Sequence, residues 1–110
     1  MNTYVLLSKL TSEGARSVWT HPRRVLEVNE EVEELGCRVV SQFATLGPYD
    51  FVTIVQAPDN ETVLRLSAML GSRGTIEILT MPATWVADFL DGLPAGSGAD
   101  DEGGQSERMS

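Results

Sequence analysis

Tyr49 and Asp50 follow the turn pair Gly47-Pro48 directly and open an apolar run, Phe51 to Ala57. A carboxylate beside a phenol at a strand end can orient a polar ligand, or act as a base where its pKa is raised. The same acid has a structural use, because an Asp at a strand start bonds backbone N–H groups of its own turn. Tyr49 can equally be a half-buried packing residue. His21, the one imidazole of the chain, stands with Trp19, Arg23 and Arg24 just ahead of a helical pattern. Basic groups at a helix start can hold an anionic ligand together with free backbone N–H groups. The structural alternative is a capping His21, with Arg23 and Arg24 paired to Glu27 and its acidic neighbours. Glu77 lies between Ile76 and Ile78 and so points away from both. It faces either an interior shared with a second subunit, where desolvation raises its pKa, or solvent along an edge strand, where its charge discourages edge pairing.

Tyr49, Asp50, His21, Trp19, Arg23 and Glu77 are therefore the candidate ligand-binding residues, and no catalytic set is assigned. Cys37 is the only cysteine, which excludes an internal disulfide and a CxxC motif; its apolar context reads as a small buried hydrophobe. One His and one Cys without a spaced carboxylate motif fall short of a common metal-ligand set. GxSxG, GxxxxGK[ST] and a GxGxxG after a strand are all missing. Neither a metal nor a cofactor is expected.

The elements that must position these residues follow from periodicity and punctuation. Tyr4 to Leu10 is a short apolar strand that ends at the loop-forming Thr11-Ser12-Glu13-Gly14, followed by a short connector through Ala15 to Trp19 that is open to helix or coil. Pro22 marks the start of the main helix, Val25, Val28, Val32 and Leu35 recur at helical spacing, and Gly36 ends it. Cys37 to Leu46 and Phe51 to Ala57 are strands expected to pair antiparallel through the Gly-Pro turn. Pro58-Asp59-Asn60-Glu61 places a capping residue and first-turn acids before a second helix carrying Val63, Leu66 and Leu70, closed by Gly71 and Gly74. Thr75 to Thr80 is a fourth strand. Pro82 opens a third helix whose apolar side, Trp85, Val86, Phe89 and Leu90, should dock on the domain.

Strand, helix, strand, strand, helix, strand is the order of a ferredoxin-like βαββαβ unit: an α+β fold with a four-stranded antiparallel sheet and, here, an extra C-terminal helix. Helices cover one face of such a sheet. Alternation places Phe51, Thr53 and Val55 on one side of the third strand and Val52, Ile54 and Gln56 on the other; the second strand divides into Val39 and Phe43 against Val40, Ala44 and Leu46. Both sides are apolar, so the bare face is expected to pack on a second copy. A domain this small gains materially from a partner that covers apolar surface.

Three stretches together resemble the GYD-domain family: Thr3-Tyr4 through Lys9 with Thr11-Ser12-Glu13-Gly14, the turn Leu46-Gly47-Pro48-Tyr49-Asp50, and Ala57-Pro58-Asp59. The resemblance runs from about Thr3 to Leu90, with Pro48 placed between the glycine and Tyr49. It implies a dimeric α/β barrel, in which two ferredoxin-like sheets face each other and enclose a pocket. Relatives of that architecture include cofactor-free oxygenases and isomerases as well as ligand-sensing modules, so fold does not choose the function. The expected protein is a homodimer, or a higher homo-oligomer, that binds a small, partly apolar ligand between the sheet and the hairpin corner. The alternatives are a cofactor-free oxygenase or isomerase of the dimeric-barrel type, and a structural interaction module.

Composition bounds the partners. A net charge of -8 and a single basic pair, Arg23-Arg24, argue against nucleic acid and an anionic membrane surface. No apolar run approaches the roughly 20 residues of a spanning helix. Met1-Asn2-Thr3 passes straight into a strand without a signal-like segment, and a cytoplasmic location is expected. Residues 1–93 are expected to form the domain. From Pro94 onward Gly, Ser, Ala, Asp and Glu dominate, with no aromatic or β-branched residue, so residues 94–110 read as a disordered acidic tail. Deletion of residues 95–110 is expected to leave melting temperature and oligomeric mass unchanged; a loss of several degrees by calorimetry would show that the tail docks.

Overall fold

The computed structural model of the chain describes residues 1–94. Its elements run β1 (Asn2–Leu10), α1 (Ser12–Thr20), α2 (Arg24–Glu34), β2 (Arg38–Ala44), β3 (Phe51–Ala57), α3 (Asn60–Ser72), β4 (Ile76–Ala83) and α4 (Val86–Asp91). The four strands form one antiparallel sheet in the order β2-β3-β1-β4. This is the ferredoxin-like α+β arrangement, with the two central strands made by the first strand of one half and the last of the hairpin. The tail expected from 94 onward lies, beyond Pro94, outside the described residues.

Helices cover one face. Tyr4, Leu6 and Ser8 of β1 and Thr53, Val55 and Ala57 of β3 are buried beneath them, in register across the pair Tyr4↔Val55 and Leu6↔Thr53. α3 closes this core with Val63, Leu66 and Leu70, spaced three and four apart on its buried side. Asp59 caps it, its Oδ1 accepting from the Thr62 backbone N–H at 2.8 Å and the Thr62 hydroxyl at 2.7 Å. α2 contributes Val32, and Gly36 after it takes φ +96, the left-handed conformation for which glycine suits a helix end. Cys37 is buried in the same cluster, and burial pushes its thiol pKa up, as suits a small hydrophobe.

Three expectations are corrected. Thr11-Ser12-Glu13-Gly14 is the cap and first turn of α1 rather than a loop: the Thr11 hydroxyl accepts from the Gly14 N–H at 3.1 Å and donates to the Gly74 carbonyl at 2.7 Å. One hydroxyl thereby starts a helix and ties it to the end of α3. Pro82 lies within β4 opposite Tyr4 and starts no helix; β4 is an edge strand, where a missing N–H costs no ladder bond. The last helix begins after Trp85 and buries none of its residues, leaving Trp85, Val86, Phe89 and Leu90 exposed. It does not dock on its own domain.

The uncovered sheet face carries Val5 and Leu7 of β1, Val52 and Ile54 of β3, Leu79 and Met81 of β4, and Phe43 of β2. A β-bulge between Val39 and Ser41 decides the last assignment. Val39 pairs with Val55 on the helix side, whereas Phe43 pairs with Val52 on the open side, so the two residues do not share a face as simple alternation requires. The extra residue reverses the alternation. Phe43 is 58% exposed and Val55 fully buried. No described helix is long and apolar enough to cross a membrane.

Gly14 marks the closest approach between α1 and the sheet. A Cβ there would fall 1.9 Å from the Thr75 carbonyl oxygen, which accepts the Thr11 N–H at 3.0 Å. Backbone on both sides leaves nothing flexible to give way. Gly14→Ala should cost at least about 2 kcal/mol, within the range of overpacked sites, read as a lowered urea midpoint; an unchanged midpoint would show that α1 is free to lift.

Candidate functional site

α1 and α2 arch over the sheet instead of lying flat on it, and the space beneath them is a cavity of about 490 Å³. Leu6, Ser8, Val39, Thr53 and Ile76 are among its sheet-side walls, and Val18, Val25 and Val28 face them from the helices. The volume falls within the range of ordinary small-molecule sites. Its lining is mainly apolar, with three polar side chains joined in one line. Asn29 of α2 donates from Nδ2 to Gln42 Oε1 of β2 at 2.8 Å, and Gln42 Nε2 donates to Thr53 Oγ1 of β3 at 3.1 Å. Ser8 and Thr53 are each 7% exposed.

Two arginines complete the lining, and each is already paired. Arg73, just after α3, meets Glu31 of α2 in a two-pronged bond of 2.7 and 2.8 Å. Arg24 meets Glu27 of its own helix at 3.3 Å. The Arg73 guanidinium, through its hydrogen bonds, holds the Glu31 carboxyl below the usual carboxylate range. This ion pair ties α2 to the end of α3 across the cavity and is the only salt bridge among the described residues that joins two elements.

The six candidates read from the sequence do not converge on this cavity. Asp50 Oδ2 accepts the Leu10 N–H at 2.8 Å, its own N–H donates to the Ser8 carbonyl at 2.8 Å, and its carbonyl accepts the Thr45 N–H at 2.8 Å. The acid thus fastens the hairpin corner to the end of β1. Its carboxylate bonds an N–H of a neighbouring strand and not one of its own turn. Tyr49 is half-buried and its carbonyl accepts from the Thr45 hydroxyl at 2.8 Å. Neither residue lines the cavity, although Phe51 beside them does. His21 and Arg23 come together in a separate open cleft between α1 and α2, with Arg24 and Glu27. There His21 ends α1, its N–H donating to the Ser17 carbonyl at 2.7 Å. Trp19 is 88% exposed. Glu77 is exposed on the edge strand and, alternating with Ile76 and Ile78, belongs to the open sheet face.

Sequence reasoning passed over Ser8, Asn29, Gln42, Thr53 and Arg73. Two of them left a signal: Ser8 and Thr53 are polar residues at the core phase of apolar strands, in step with Tyr4 and Leu6 and with Val55 and Ala57. A polar residue at such a position asks for a partner. Asn29, Gln42 and Arg73 gave none, because only the packing of three distant segments gives them a common neighbour.

Comparison with known proteins agrees with this architecture. The GYD domain matches residues 4–92. The glutamine synthetase and cystathionine beta-lyase binding protein of Thermus thermophilus is 47% identical over 91 residues, spanning 82% of this chain and 96% of that protein. The crystal structure of TTHA0845, also from Thermus thermophilus, superposes with a TM-score of 0.52 at 24% identity, over 77% of this chain and 95% of the other. That of FFRP-DM1 does so with a TM-score of 0.50 at 18% identity, over 76% and 100%. At such identity the two structures speak for the fold alone.

The contacts of Asp50 and Glu31 have measurable consequences. Asp50→Ala, which strands the Leu10 N–H, should cost about 1 to 3 kcal/mol, and Asp50→Asn, which keeps an acceptor, about 1 kcal/mol or less, both measured by denaturant titration. Equal costs would mean that the charge matters more than the bond. Because the Glu31 pKa is depressed in the folded state, its contribution is present above the unfolded value of about 4.3 and is lost as pH falls through the folded value. The melting-temperature gap between the parent and Glu31→Gln should therefore be open at neutral pH and close on acidification; a gap independent of pH would contradict the tether. Where the two solved structures carry the fold alone, the family match and the 47% relative go further, and the chain belongs to the GYD domain family.

Proposed function

We propose that this chain is a non-catalytic binding module that works as a homodimer and takes a small, partly apolar ligand into the cavity beneath α1 and α2. The observation that supports the reading is the composition of that cavity. Apolar walls surround a line of neutral hydroxyls and amides, and the charged side chains that line it, Arg24 and Arg73, are both engaged in ion pairs. General acid–base chemistry needs titratable groups brought within hydrogen-bond reach of a common reacting atom. Tyr49, Asp50, His21 and Glu77 are instead spread over the hairpin corner, the α1–α2 cleft and the open sheet face. This weighs against the oxygenase or isomerase alternative and in favour of binding.

Self-association rests on the open sheet face. Val5, Leu7, Phe43, Val52, Ile54, Leu79 and Met81 form one apolar surface of the kind that marks an interface. A second copy laid against it would cover both sheets and bring Glu77 into the seam.

A second reading, that the module binds a protein, draws on the Thermus thermophilus relative, which is named for binding glutamine synthetase and cystathionine beta-lyase. By that likeness, this chain would act as an accessory protein to an enzyme of the same kind. The exposed apolar side of α4, with Trp85 and Phe89 at its centre, suits such a contact.

Light scattering should give at least twice the monomer mass, and Phe43→Asp should return the protein to monomers; a monomeric parent sinks the homodimer. Native mass spectrometry of the purified protein should show a small molecule that Val28→Trp, which fills the cavity, excludes. Mixing with purified glutamine synthetase or cystathionine beta-lyase from the same source should give a complex on size exclusion that Trp85→Ala weakens, and failure of both enzymes to co-elute counts against the second reading.

A further inference from the structure

We propose that the cavity selects an uncharged apolar molecule carrying a hydrogen-bond acceptor, such as an aryl ketone, and that the Ser8 and Thr53 hydroxyls together hold that acceptor. The inference rests on the reading of the cavity as a small-ligand site and specifies its chemistry.

Ser8 carries the argument. Its side chain is 7% exposed, lines the cavity, and its hydroxyl has no hydrogen-bond partner among the described residues. Its carbonyl is already engaged by the Asp50 N–H. A hydroxyl withdrawn from water without a partner is destabilising, and a ligand atom at that point removes the penalty. Thr53 adds direction. Its oxygen accepts from Gln42 Nε2, while Gln42 Oε1 accepts from Asn29 Nδ2. One lone pair of the Thr53 oxygen receives the amide, and the hydroxyl keeps its proton to donate. Ser8 lies opposite Phe51 and Leu6 opposite Thr53, so Ser8 and Thr53 are diagonal neighbours on one face of the β1–β3 pair. Two hydroxyls carried on adjacent strands and lining the same cavity suit one ligand oxygen with two lone pairs, such as a carbonyl seated between them.

Charge sets the other limit. Cationic ligands would find no carboxylate in the lining. An anion would have to compete with Glu31 for the Arg73 guanidinium, or with Glu27 for Arg24. Both ion pairs involve α2, one near its start and one in its second half. Burying an unpaired charge against Val18, Val25 and Val28 costs far more than burying a neutral carbonyl that two hydroxyls receive.

Three probes with one naphthalene body test this: 2-acetylnaphthalene, 2-ethylnaphthalene and 2-naphthoate, titrated calorimetrically into the full chain at neutral pH. The ketone should bind about 5- to 10-fold tighter than the hydrocarbon, as one or two net hydrogen bonds allow, and the carboxylate at least 10-fold weaker than the ketone. Ser8→Ala should remove about 5-fold from the ketone and leave the hydrocarbon unchanged, and Thr53→Val should do the same if it folds. A carboxylate that binds as tightly as the ketone, or a ketone preference that survives Ser8→Ala, overturns the proposed selectivity while the cavity remains a ligand site. Failure of all three probes to bind, or binding untouched by Val28→Trp, overturns the cavity reading itself.

Discussion

A four-stranded sheet that is apolar on both faces has to be covered twice, and the described helices cover one face only. Much of the molecule follows from that constraint. On the covered side, Tyr4, Leu6, Val55 and Ala57 meet Val63, Leu66 and Leu70 of α3 and form a dry core. On the other, Val5, Leu7, Val52, Ile54, Leu79 and Met81 keep the same alternation with no described element above them. Apolar area left in water is the driving term for association. The uncovered face is thus as much a product of the strand sequences as the core is.

The covered side is itself divided. α3 lies close on the sheet because its buried residues interdigitate with β1 and β3, and its start is fixed by Asp59. α1 and α2 are held at their margins instead: Thr11 and Gly14 clasp the start of β4, Val32 reaches the core, and Glu31 grips Arg73. Between those margins Val25 and Val28 are only half-buried and look across open space at Val39 and Leu6. Interiors are normally packed to crystal-like density. A pocket of about 490 Å³ open to the surface of so small a domain is bounded by its rim, and here the rim is polar and specific.

The distribution of charge suits holding a molecule better than transforming one. The uncharged polar side chains within the cavity include Asn29, Gln42 and Thr53 bonded in a line, and the arginines that line it are paired. Groups with chemical reach sit elsewhere, each with local work: Asp50 binds the Leu10 N–H, His21 closes α1, and Glu77 stands on an edge strand. Fold membership alone would not separate binding from catalysis, since one architecture hosts both. What favours the binding reading proposed above is where individual side chains end up.

Periodicity and punctuation were enough to determine the strand order, the two helices that follow β1 and β3 as α2 and α3, a cap at the start of α3, the glycine end of α2 and the burial of Cys37, because each depends on residues within a turn or two of one another. The turn around Gly47 and Asp50 carried the family likeness for the same reason. What depended on distant segments was not legible. A bulge at Val39 and Ser41 exchanged the faces of β2, the pairing with Tyr4 drew Pro82 into a strand, and the partner of Asp50 proved to be Leu10, 40 residues away. The cavity belongs to this second kind. Ser8 and Thr53 announced it faintly as polar residues in a core phase, but its volume, its amide line and its ion-paired rim exist only because α1 and α2 are pinned at their edges over a sheet whose strands come from both halves of the chain.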